Sequence, residues 1–82
     1  MQLDIITPDQ KVFSGEVVSA QFPGTKGSFQ VLNNHAPLIS TLEKGKITIR
    51  PATGGEQVIK VEGGIVEVLH NKIIVLAEAI LA

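Results

Sequence analysis

No apolar run in this chain is longer than a β-strand. Val, Ile and Thr recur in runs of four to seven residues, and Gly, Pro, Asn or Asp breaks each run. Those residue types suit a pleated, half-buried surface, and the breakers supply turns. The longest run, Ile73-Ile74-Val75-Leu76-Ala77, is strand-sized and far short of the roughly 18 residues that cross a bilayer. The chain therefore reads as short strands nearly from end to end.

Leu3-Asp4-Ile5-Ile6-Thr7 opens the pattern and Pro8-Asp9-Gln10 interrupts it. Lys11-Val12-Phe13-Ser14 forms a second short strand, with Gly15 as a bulge or bend. Residues 16–22 form the next, ended by Pro23-Gly24, a type II turn signal. Residues 28–32 and 38–42 follow. Lys46-Ile47-Thr48-Ile49-Arg50 alternates without a fault, so one face is buried and the other wet. Thr53-Gly54-Gly55 turns the chain, and 56–62 returns it with Ile59 and Val61 inward and Lys60 and Glu62 outward. Gly63-Gly64 marks a turn or a close backbone approach. Segments 65–69 and 72–77 meet at His70-Asn71, a two-residue hairpin. Nine or ten such strands predict an all-β sandwich or flattened barrel, one domain over residues 1–82. Glu78-Ala79-Ile80-Leu81-Ala82 shifts to helix formers, but five residues cannot hold a helix by propensity and read as a tail.

A chain of 82 residues with three Phe, no Trp and no Tyr must build a modest, aliphatic core. With no Cys, neither a disulfide framework nor a thiolate metal site can support it. The net charge of −1 and the scattered Lys and Arg give no basic face for nucleic acid. Met1-Gln2-Leu3-Asp4 lacks the basic and apolar regions of a targeting segment. The expectation is a soluble domain that meets a membrane only through a partner.

Catalytic motifs are missing. Gly24-Thr25-Lys26-Gly27-Ser28 has the wrong spacing for a phosphate loop, and a strand rather than a helix follows it. The carboxylates form no readable pair with a nucleophile. No Ser–His–Asp arrangement has an elbow context. No cofactor is expected. His70 falls in a turn and reads as exposed. His35 stands in an apolar corner, Asn33-Asn34-His35-Ala36-Pro37-Leu38. There it can fix the turn by donating a ring N–H to a carbonyl, and it can also contact a partner. Asn suits the left-handed backbone of such a corner, and Pro37 fixes the exit.

The corner lies within residues 27–45, GSFQVLNNHAPLISTLEKG. Together with Thr7-Pro8, Val12-Phe13-Ser14-Gly15-Glu16-Val17, Pro23-Gly24, the stretch from Val61-Glu62-Gly63-Gly64 through Val68, and Val75-Leu76-Ala77, it resembles the epsilon subunit of the rotary proton-translocating ATP synthase. The order and spacing of the pieces carry the resemblance. It implies a ten-stranded β-sandwich at the foot of the central stalk, bound to the gamma subunit and resting on the c-ring. It further implies a non-catalytic coupling role on the cytoplasmic face of a bacterial inner membrane, or the equivalent face elsewhere. Carried over by position, Thr7, His35, Ser40 and Glu62 would face gamma. Ser28, Phe29 and Gln30 would form the ring-facing loop, although Phe29 reads first as a core residue. The chain departs from the family in Ser28 for a common Glu, Gln30 for Gly and Asn33-Asn34 for Pro-Gly. It also ends where longer members continue into two helices, so coupling without that helical brake and without ATP binding is the expectation.

Two other classes compete. A lipoyl or biotinyl carrier is small and β-rich, and would need Lys44 at a hairpin tip. An oligonucleotide-binding barrel would need exposed aromatics and a positive groove.

Overall fold

A computed structural model describes residues 1–81, and they form eight strands. These are β1 (Gln2–Ile6), β2 (Lys11–Phe22), β3 (Phe29–Leu32), β4 (Leu38–Leu42), β5 (Gly45–Pro51), β6 (Gln57–Val61), β7 (Gly64–Leu69) and β8 (Lys72–Ala77). The neighbour order is β4-β7-β8-β1-β2-β5-β6, with β3 also paired to β2. Every pairing is antiparallel except β1 with β8.

β2 is the element that makes a two-layered body out of this order. Its first half pairs with β1 and its second half with β3 and β5. The strand therefore runs through both layers. We call β4, β7, β8, β1 and the start of β2 sheet A, and β3, the end of β2, β5 and β6 sheet B. The ten strands implied by the family resemblance reduce to eight. The runs 11–14 and 16–22 are one twelve-residue strand, because Gly15 stays in register opposite Leu3. The register shifts instead at Val12, opposite Ile5 and Ile6, and again between Val17 and Ser19. There Val17, Ser19 and Ala20 are buried while Val18 is exposed. An extra residue at that point shifts the inward phase by one and bends the strand from one sheet into the other.

The core is aliphatic, as composition required. Leu3, Ile5, Ile47, Ile49, Ile73, Val66 and Val75 are fully buried together with Phe22. All three Phe face or pack on this cluster, with Phe22 and Phe29 ring centroids 5.6 Å apart. The alternation of β5 and β6 places Ile47, Ile49, Ile59 and Val61 inward and Lys60 and Glu62 outward.

The turns follow their residues with one exception. His70 and Asn71 have φ of 51° and 60°, both positive, as the two-residue hairpin turn between β7 and β8 requires. At Gly64 an added Cβ would run into the Leu76 carbonyl oxygen and lie 3.0 Å from Ala77 Cα. That position is a close backbone approach open only to glycine. The exception is Pro23-Gly24. Gly24 lacks the positive φ of a type II turn, and the turn comes later, where Gly27 (φ 123°) donates its N–H to the Gly24 carbonyl at 3.0 Å. The Thr25 N–H is engaged elsewhere, by Thr41 O at 3.1 Å.

Residues 78–81 lie along β6 rather than forming a helix. The Glu62 N–H donates to Ala79 O and the Leu81 N–H to Lys60 O, with Val61 bridged to Ile80. This covers part of an edge strand that would otherwise expose its N–H and C=O groups. Ala82, the last residue of the expected tail, lies outside the described residues.

Candidate partner-binding surface

Strand register decides what the outer face of sheet A looks like. Ile39 on β4 pairs with Glu67 on β7, and Glu67 with Ile74 on β8. One row on, Ile65 pairs with Leu76, and Leu76 with Ile6 on β1. Because side chains alternate, all of these point away from the core. Ile39 is 72% exposed, Leu76 55% and Ile65 47%.

Three shallow depressions run across this face. The first is lined by Pro37, Leu38, Ile39, Glu67, Val68 and Leu69. The second is lined by Ile39, Ile65, Glu67, Ile74 and Leu76. The third is lined by Ile6, Thr7, Pro8, Leu76 and Ala77. They share Ile39, Glu67 and Leu76, so they form one apolar strip from the β4 edge to the β1–β2 turn. Glu67 is the one charged residue that lines it. A contiguous apolar patch on a small domain marks an interaction surface.

A polar margin borders the strip. Ser14 Oγ donates to Asp4 Oδ1 at 2.6 Å and Gln2 Nε2 donates to the same oxygen at 3.2 Å. The Ser14 hydrogen bond is the main reason the Asp4 carboxyl is held below its ordinary value. Burial acts against this, and the Gln2 bond and the Lys11 and Lys72 charges add to it.

The residues singled out in the sequence do not gather in one patch. Thr7 lines the strip, but its backbone and hydroxyl are also tied to Gln10 and close the β1–β2 turn. Glu62 is exposed at the same end of sheet A, beside Ala79. His35 lies at the other end, about 17 Å away along β8 at the usual rise per residue. Ser40 is half-buried on the edge strand β4, opposite Val66. Ser40 shares an open groove of about 530 Å³ with Ser28 and Phe29. Residues expected to face different partners thus meet there. Gln30 is exposed on β3, opposite Gln21.

The corner before β4 has a support the sequence did not reveal. His35 Nδ1 is 2.7 Å from Ala36 O. A carbonyl only accepts, so Nδ1 carries the proton. Asn34 has φ of 62°, and its N–H donates to Asn71 Oδ1 at 2.7 Å. Asn71 Nδ2 donates to Asn33 Oδ1 at 2.9 Å. One side chain on the β7–β8 hairpin therefore clasps the corner from 37 residues away and more. No signal in a single sequence links positions so distant.

Among the described residues no group of three His, Asp or Glu is placed to hold a metal ion. The family model for the ATP synthase Delta/Epsilon chain, β-sandwich domain, matches residues 1–82. The chain belongs to that family. ATP synthase epsilon chains of Chlorobium limicola and Chlorobaculum tepidum are each 44% identical to it, over 94% and 95% of this chain and 88% and 89% of their own. That of Dichelobacter nodosus is 42% identical over 94% of this chain but only 54% of its own length. Among solved structures, a chain of the Euglena gracilis mitochondrial ATP synthase superposes with TM-score 0.89 at 17% identity, over 96% of this chain and 51% of that one. A chain from the Tetrahymena thermophila mitochondrial ATP synthase central stalk and c-ring gives 0.83 at 18% identity, over 99% of this chain and 65% of that one. At those identities the likeness is one of fold.

As an epsilon-type member, this is a non-catalytic, structural and regulatory chain. The competing classes fit poorly. Lys44 is not at a hairpin tip, because β4 and β5 belong to different sheets and the Glu43 N–H beside it is held by Pro23 O at 2.9 Å. No Phe stands free for base stacking, since each packs in or on the core.

Proposed function

We propose that this chain is a central-stalk subunit of a rotary ATP synthase that binds gamma, rests on the c-ring and couples proton flow to ATP synthesis and hydrolysis. The observation that carries this is the uncovered apolar strip on sheet A, in a chain of the epsilon family. Gamma covers that strip. A rotor component must transmit torque without yielding, and a close-packed aliphatic sandwich has the low compressibility this needs. Thr7, His35, Ser40 and Glu62 contribute to the gamma side, and Ser28 and Gln30 to the ring side. The subunit uses no cofactor. It reaches the membrane only through the complex, on the cytoplasmic face of a bacterial inner membrane or its equivalent.

The test is co-purification of this chain with the gamma subunit of the same enzyme, read by native mass spectrometry. A one-to-one complex is expected. A folded domain that leaves gamma free at micromolar concentration would contradict the proposal.

A further inference from the structure

Glu67 stands in the middle of the apolar strip. Its cross-strand neighbours are Ile39 on one side and Ile74 on the other. It lines both of the depressions that meet at Ile39. Among the described residues its carboxylate makes no hydrogen bond and no ion pair. The nearest acidic group in its row, Asp4, is already engaged by Ser14 and Gln2. Lys72 lies one row away, opposite Leu69.

We propose that Glu67 is the specificity-determining residue of this surface and takes a Lys or Arg from an apolar ridge of the partner. The inference rests on the reading that gamma covers the strip. Its logic is desolvation. A partner that buries Ile39, Ile65 and Leu76 removes water from the carboxylate between them. A carboxylate buried without a cation is strongly disfavoured. An apolar surface lacking that cation is therefore rejected, and one that carries it in register is accepted. The lone charge makes the strip selective rather than merely adhesive.

The experiment is isothermal titration of gamma into the wild-type chain, Glu67→Gln, Glu67→Lys and Ile39→Asp. Both substituted positions are exposed, and thermal unfolding confirms that each variant folds. Glu67→Gln is expected to weaken binding about thirtyfold, and Glu67→Lys by more, since truncating one partner of a desolvated pair has effects of that order. The wild type should also lose affinity as salt is raised, and Glu67→Gln should lose much less. If Ile39→Asp abolishes binding while Glu67→Gln binds as the wild type does, the strip is the docking surface and the assignment of Glu67 is wrong. Glu67 would then serve only to keep an apolar face from self-association, and Glu67→Gln would dimerise more readily. If the wild type itself leaves gamma unbound, the rotor reading fails, and this assignment with it.

Discussion

The outer faces of the two sheets are built from the same alternation and end up opposite in character. On sheet B the outward positions are Gln21, Gln30, Thr48, Arg50 and Lys60, with Arg50 3.6 Å from Glu56. Its exposed apolar residues, Val18, Leu32 and Val58, sit on three different strands and line none of the depressions found on sheet A, and scattered cases like these are ordinary surface. On sheet A the outward Ile39, Ile65, Ile74 and Leu76 adjoin one another. β5 alternates strictly, and its wet face is a finished surface. β8 does not alternate, yet among the described residues no second layer covers its outward side. A continuous apolar run is usual where both faces of a sheet are buried. On the proposed reading, that covering layer is the gamma subunit.

The largest effect should come from the core the two faces share. Ile73 is fully buried, and Ile73→Ala should cost about 3–4 kcal/mol in urea unfolding. A single transition seen by probes in both sheets is expected. Separate transitions would mean that the faces belong to independent units. Next in size is the contrast between the faces. Ile39→Asp should weaken gamma binding about a hundredfold, as loss of a central apolar anchor does. Val58→Asp on sheet B should leave the affinity unchanged. Equal losses would erase the distinction between the faces.

Asn71→Ala should destabilise by about 1–2 kcal/mol, because it removes two hydrogen bonds and frees the 33–35 corner. Asn71→Asp should retain part of that stability through the surviving acceptor for the Asn34 N–H. The smallest effect concerns the polar margin. Asp4 has a folded pKa below its unfolded value near 3.8. Its contribution is therefore present above that value and is lost as pH falls through the folded pKa. Between about pH 5 and pH 2 the wild type should lose slightly more thermal stability than Asp4→Asn.

Much of the fold was legible in the residues. Strict alternation gave β5 and β6 their faces, and His70-Asn71 marked its hairpin. Gly63-Gly64 marked a close approach. Two features misled. Gly15 looks like a break but stays in register, whereas the register shifts at Val12 and Val18 fall at ordinary β-branched residues. Pro23-Gly24 has turn chemistry, but the Thr25 N–H is taken by β4. The surface was harder to read than the fold. The strip joins residues from β1, β4, β7 and β8, so it depends on register across four strands. The Asn71 clasp depends on two turns meeting. Both arise from long-range pairing, which local pattern does not encode.

The claim that sheet A is the docking face is most directly tested by methyl NMR of the chain labelled at Ile δ1 and Val γ positions, titrated with gamma. The account predicts large shifts or broadening at Ile39, Ile65 and Ile74, with Val58 unmoved. Perturbation centred on Val58, with Ile39 and Ile65 unchanged, would contradict it.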